Sequence, residues 1–196
     1  MSFSRTLMFS LSAAVLAGGL ASCKSKKKQA EATKPDPVGE TEIIIPCSGP
    51  EFFTDNKVFR ANALGESMDQ ATAKKKAMSN ARADLAASIN TRVKSVIDNY
   101  VNSREMQNRE EIGERYEALS REVVDQQLTG TKTLCEKMMR VNSTGNYKAY
   151  VAIELSAQEL LAAYNQRLSS DERLRIDYDY EKFKETFEKE MERMKN

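Results

Sequence analysis

The chain has 196 residues with 30 basic and 29 acidic side chains, a net charge of +1. That length suits one domain with a proper core rather than two, and the near-cancellation of charge removes any global field that would recommend nucleic acid or an acidic substrate. Histidine and tryptophan are both absent, so the commonest metal ligand and the commonest general base near neutral pH are missing, which weakens most enzyme readings.

Residues 1–22 read as a leader. A short, weakly basic start (Met1 to Arg5) precedes an apolar run from Leu7 to Leu20, too short for a comfortable transmembrane helix and ending at small residues. Leu20-Ala21-Ser22-Cys23 resembles the bacterial lipobox, whose processing leaves the cysteine as an acylated amino terminus. Cys23 is therefore the expected lipidation site. Acyl chains contributing about 0.8 kcal/mol per buried methylene would anchor the protein without a spanning segment. Residues 23–41 then form a basic tether. Lys24, Lys26, Lys27 and Lys28, two prolines and no apolar period leave it nothing to bury, and as a random coil it spans roughly 20 to 25 Å. Lys24 does not resemble the aspartate that retains lipoproteins in the inner membrane, and the basic tether is unlike the acidic one of surface-exported lipoproteins. Both comparisons favour the periplasmic face of the outer membrane.

The expected folded domain occupies residues 42–168. Glu42 to Pro50 is a β-branched run stopped by proline, either an edge strand or a strap. Val58 to Leu64 alternates as a strand, with Phe59, Ala61 and Ala63 on one face, and breaks at Gly65. A long helix starts near Ser67 or Asp69, and its stripe of Ala73, Ala77, Ala81, Leu85, Ile89, Val93, Val96, Ile97 and Tyr100 keeps the 3.6-residue period of one buried face. The alanine half of that stripe allows close backbone approach; the branched and aromatic half fills a wider gap. Asn102 to Asn108 is a polar interruption. A second helical pattern runs through Ile112, Tyr116, Leu119, Val123, Val124 and Leu128, and a hairpin follows, with strands Thr129 to Val141 and Tyr147 to Leu155. Ser156-Ala157-Gln158-Glu159 fits the capping box and opens a helix to about Leu168. Residues 169–196 read as a charged amphipathic helix from Ser170 or Asp171, with Leu174, Tyr178, Phe183, Phe187, Met191 and Met194 as its stripe, suited to lying on the domain or to pairing with a partner. The fold class is α+β: a small antiparallel sheet of strand plus β-hairpin, packed by a long helix, with further C-terminal helices.

The strand ending Ala61-x-Ala63-Leu64-Gly65, then Ala73, Ala77 and Asn80-Ala81-Arg82-Ala83-Asp84-Leu85-Ala86, and later Tyr147-Lys148-Ala149-Tyr150-Val151-Ala152-Ile153, resemble the Lpp-twenty lipoprotein family of bacteria, named from a Helicobacter membrane-associated lipoprotein. The resemblance covers roughly residues 58–161. It implies a small α+β module with no catalytic residues to carry over. This chain departs from the pattern by lacking a tryptophan near the first strand and by its charged C-terminal helix.

Motifs for chemistry are sparse. Ser25-x-x-Lys28 has the serine–lysine spacing but sits in the tether, where nothing would activate it. Asp177 and Asp179 lack the glycine and third ligand of a calcium loop, and Asn142-Ser143-Thr144 reads as a turn. Lys74-Lys75-Lys76 is a basic patch or simply a solvated helix face. Cys47 and Cys135 are an even pair that an oxidising compartment can join in a disulfide, or two small buried hydrophobes. No cofactor, metal or nucleic acid is expected. The expected function is a non-catalytic periplasmic binding or assembly module, anchored to the membrane by Cys23 and serving an envelope protein partner. The alternatives are an enzyme acting on envelope polymers through carboxylates and a purely structural spacer.

Overall fold

The computed structural model describes Gly39 and residues 42–104 and 109–195. The chain divides into two units, Met1–Glu42 and Ile43–Asn196. The expected leader, Cys23 and nearly all of the tether lie outside the described residues.

In the second unit three strands form one antiparallel sheet in the order β1-β3-β2: β1 is Val58–Ser67, β2 Lys132–Arg140 and β3 Tyr147–Ser156. Among the described residues four α-helices accompany them: α1 (Gln70–Asn102), α2 (Arg109–Gln127), α3 (Ala157–Ser170) and α4 (Tyr180–Glu192). The fold is α+β, with α1 laid along one face of the sheet. All nine residues of its expected stripe are buried, joined by Val101. Asp69 caps it, its carboxylate accepting from the Thr72 amide at 2.7 Å.

β1 does not break at Gly65. It continues to Ser67, because Gly65 is where strand and helix touch: a Cβ there would lie 2.3 Å from the Ala73 carbonyl oxygen and 2.4 Å from the Ala77 nitrogen. The glycine serves the helix crossing rather than a turn. The sheet face under α1 carries Phe59, Ala149, Val151, Ile153 and Leu155, all buried.

β2 starts at Lys132 rather than Thr129. Leu128–Gly130 instead form a 3-10 turn that finishes α2, held by the Thr129 hydroxyl donating to the Gln126 carbonyl and the Thr131 hydroxyl to that of Leu128. Within β2 the register slips between Thr133 and Cys135, leaving Leu134 as a bulge. The extra residue inverts the alternation, so Cys135 pairs with Ala152 and projects from the sheet face opposite α1.

That outer face is crossed by residues 47–57, which, like residues 43–46 before them, form no strand; Pro50–Phe52 is a single 3-10 turn. Of the two readings, strand or strap, the segment is a strap. It is fastened at one end by a disulfide between Cys47 and Cys135, whose Cα atoms are 5.6 Å apart. At the other, the Thr54 hydroxyl accepts from the Arg60 amide at 2.9 Å and donates to its carbonyl at 3.0 Å. Cys47 has φ +59°, a left-handed conformation uncommon for a side-chain-bearing residue. Ala152, opposite Cys135, is fully buried on this outer face.

The C-terminal helix starts nine or ten residues later than expected. α3 extends to Ser170, residues 171–179 form turns, and Asp179 caps α4 by accepting from the Lys182 amide at 3.1 Å. Asp171 does act as a cap, but of a turn, accepting from the amides of Arg173 and Leu174. Of the expected stripe, Phe183, Phe187 and Met191 are buried on α4, Leu174 is buried in the turns before it, and Tyr178 and Met194 are half-buried, so α4 lies on the domain, chiefly against α1.

Candidate functional site

α4 leans on α1 and only lightly on α3, so the two C-terminal helices splay. Between them and the start of β1 lies an open groove of about 1190 Å³. Two capped helix starts fix its walls: Ser156 ends β3 and caps α3, its hydroxyl accepting from the Glu159 amide at 3.3 Å, and Asp179 caps α4. Leu161, Phe187 and Met191 back the groove but are themselves almost fully buried, Val58 and Ala162 are its more accessible apolar residues, and the rim carries Lys184, Glu185, Glu188 and Lys189. Asn56 donates to Glu192 at 3.1 Å and ties the strap end of the groove to the tail of α4.

The rim carboxylate Glu185 accepts from Lys189 at 2.7 Å and Lys182 at 3.2 Å, and these two ammonium groups hold it below the usual carboxylate range. Three other displaced carboxyls move the same way. Asp55 is opposed by burial but accepts from the amides of Lys57 and Val58 and pairs with Arg60. Asp69 is lowered by its capping bonds to Thr72. At Asp171 burial is again outweighed, by Arg115 at 2.7 Å and two amides. Groups held ionised in this way suit ion pairing and capping, not proton donation near neutral pH.

Behind the groove Tyr100, Tyr116, Tyr164, Tyr178 and Phe183 pack as one aromatic cluster, with ring centroids 5.4 to 6.5 Å apart. Burial pushes the phenols of Tyr116, Tyr164 and Tyr178 above their ordinary range. Tyr100 accepts from the Asp179 amide at 2.8 Å, and Tyr164 and Ser120 hydroxyls meet at 2.6 Å. Tyr116 Oη is buried with no hydrogen-bond partner. Glu190, on the inner side of α4, is buried and satisfied by Arg92 at 3.4 Å, Asn99 at 3.0 Å and Arg193. It locks α4 to α1.

The residues singled out from sequence fall in different places. Cys23, Ser25 and Lys28 lie outside the described residues. Cys47 and Cys135 are brought together in the disulfide. Asp179 is a helix cap paired with Arg104 at 3.1 Å, and among the described residues no cluster of three or more His, Cys, Asp or Glu is placed to hold a metal. Lys74 pairs with Glu136 at 2.9 Å and Lys76 donates to the Glu66 carbonyl, so two of the three lysines brace α1 against strands. Asn142–Asn146 forms the hairpin turn, with Gly145 at φ +75°. The groove has no sequence signature, because its walls come from residues 56–58, 156–162 and 180–193 and each stretch reads separately as a helix face or strand end. Among the described residues no helix is long and apolar enough to cross a membrane. No protein-family model, curated protein or solved structure matches the chain.

Proposed function

We propose that this protein is a lipid-anchored module of the bacterial envelope, held to the periplasmic face of the outer membrane through Cys23. It binds an amphipathic helical segment of another envelope protein in the groove between α3 and α4. The observation that carries the binding half is the groove itself: an open cleft of this size, backed by Leu161, Phe187 and Met191 and flanked by charges of both signs, has the shape to take an amphipathic helix. The displaced carboxylates, all lowered, favour this over a catalytic role. The anchoring half is supported by Leu20-Ala21-Ser22-Cys23 at the end of the apolar leader, and the resemblance to the Lpp-twenty family points to the same kind of module.

A photo-crosslinking residue at Ala162, in the groove wall, tests the binding half in living cells. Mass spectrometry should find one dominant envelope protein linked through a helical segment, with the adduct lost when the exposed rim charge is reversed by Glu188→Lys. Capture that is diffuse, or indifferent to Glu188→Lys, would refute the assignment. For the anchor, Cys23→Ser should abolish incorporation of a palmitate analogue.

A further inference from the structure

We infer that the strap carries a second, non-covalent membrane contact, in which Ile43, Ile44, Ile45 and Phe53 rest in the headgroup region of the bilayer to which Cys23 is tethered. The inference rests on the proposed lipid anchor. These four are 79, 82, 53 and 59 % exposed within eleven residues of chain, whereas the other exposed large hydrophobics, Leu64, Met68, Leu134, Met139 and Ile176, are scattered along it. Phe53 lies between the two points that fasten the strap, the Cys47–Cys135 disulfide and the Thr54–Arg60 pair. The three isoleucines run up to the first of these points, where the Ile45 carbonyl accepts from the Ser48 hydroxyl at 2.8 Å.

What covers them follows from chain length. Only nineteen residues separate Cys23 from Ile43, a length of chain that reaches roughly 65 Å at the most, so an acylated Cys23 keeps the patch within reach of the surface at high effective concentration. A weak apolar contact then suffices. A second copy is a poorer fit, since a stable interface buries about 800 Å² per partner and four side chains on a narrow strap fall short of that. Depth is limited as well: residues 42–45 form no helix or strand, and backbone groups without partners must stay where water reaches them. The contact is therefore interfacial, and the acidic neighbours Glu42 and Glu51 make it apolar rather than electrostatic.

The absence of native tryptophan makes the test direct. Full-length lipidated protein carrying Ile44→Trp is reconstituted in vesicles of zwitterionic lipid with brominated acyl chains, with Ile176→Trp, 80 % exposed in the turn before α4, as reference. Ile44→Trp should be quenched about twofold more than the reference, and the quenching should persist at about 1 M salt, where charge interactions are screened beyond about 3 Å. Adding Ile43→Asp and Ile45→Asp should remove it. Palmitate-analogue labelling of the same sample separates the two proposals. Unlabelled protein overturns the anchor and this contact with it, whereas labelled protein whose Ile44→Trp is quenched no more than Ile176→Trp overturns the contact alone. Quenching that disappears at high salt also overturns it.

Discussion

The two ends of α1 solve opposite packing problems with the same helical stripe. At the amino-terminal end Ala73, Ala77 and Ala81 lie against Gly65 and the sheet, where the neighbour is backbone and a single added carbon would collide. At the carboxy-terminal end Val96, Ile97 and Tyr100 face α2, α4 and the turns between α3 and α4, and the gap is filled by rings. The first end is intolerant of growth and the second of deletion. Small residues set the distance between helix and sheet; large ones hold the later helices at the distance that leaves the α3–α4 groove open.

That contrast can be broken most severely at Phe183, which touches Tyr100, Tyr164 and Tyr178 from α4. Phe183→Ala should cost about 3 to 5 kcal/mol in chemical denaturation. Gly65→Ala probes the opposite end, where the two nearest colliding atoms are backbone, and should cost about 3 kcal/mol by the same measurement. A loss below about 1 kcal/mol would show that the seam relaxes as easily as a flexible core. Next in size, Asp171→Ala removes the carboxylate that ties Arg115 of α2 to the turn after α3, and should cost about 2 kcal/mol at pH 7. The folded pKa of Asp171 is depressed, so its stabilisation is present above about pH 4 and is lost as pH falls through the folded value. Melts of wild type and variant should therefore converge at low pH. The smallest effect belongs to Tyr116→Phe, which deletes a buried hydroxyl with no partner and should leave stability unchanged or raise it by up to about 1 kcal/mol. Tyr164→Phe, which loses the bond to Ser120, should lose about 1 kcal/mol.

The stripe of α1 and the alternation of β3 were legible because each is a local period repeated many times, and a single buried face imposes it. The start of α4 was not. Asp171 has the chemistry of a helix cap and uses it, but two amides of a turn satisfy it as well as a helix would. The facing of Cys135 was equally hidden. Without the Leu134 bulge it would point into the core, away from Cys47, and nothing in the residue types of β2 marks where the extra residue falls. The groove is the least legible feature of all. Its lining comes from three separate stretches, and the helices that supply it are held by rings contributed by α1, α2 and α3 as well as α4.

The strand order β1-β3-β2 also fixes a sequence of events in time. β1 finds its partner only in β3, so that Val58 waits for Ser156, and the Cys47–Cys135 link closes an interval of 88 residues over much the same stretch. Local structure in α1 and α2 and the β2–β3 hairpin can form as soon as each is complete, but bringing β1 into the sheet must overcome the entropy of a long loop before any ladder bond offsets it. A chain emerging amino terminus first therefore holds β1 without its sheet partner until the hairpin exists. During that interval the alanine seam of α1 is the one surface already prepared to shelter it.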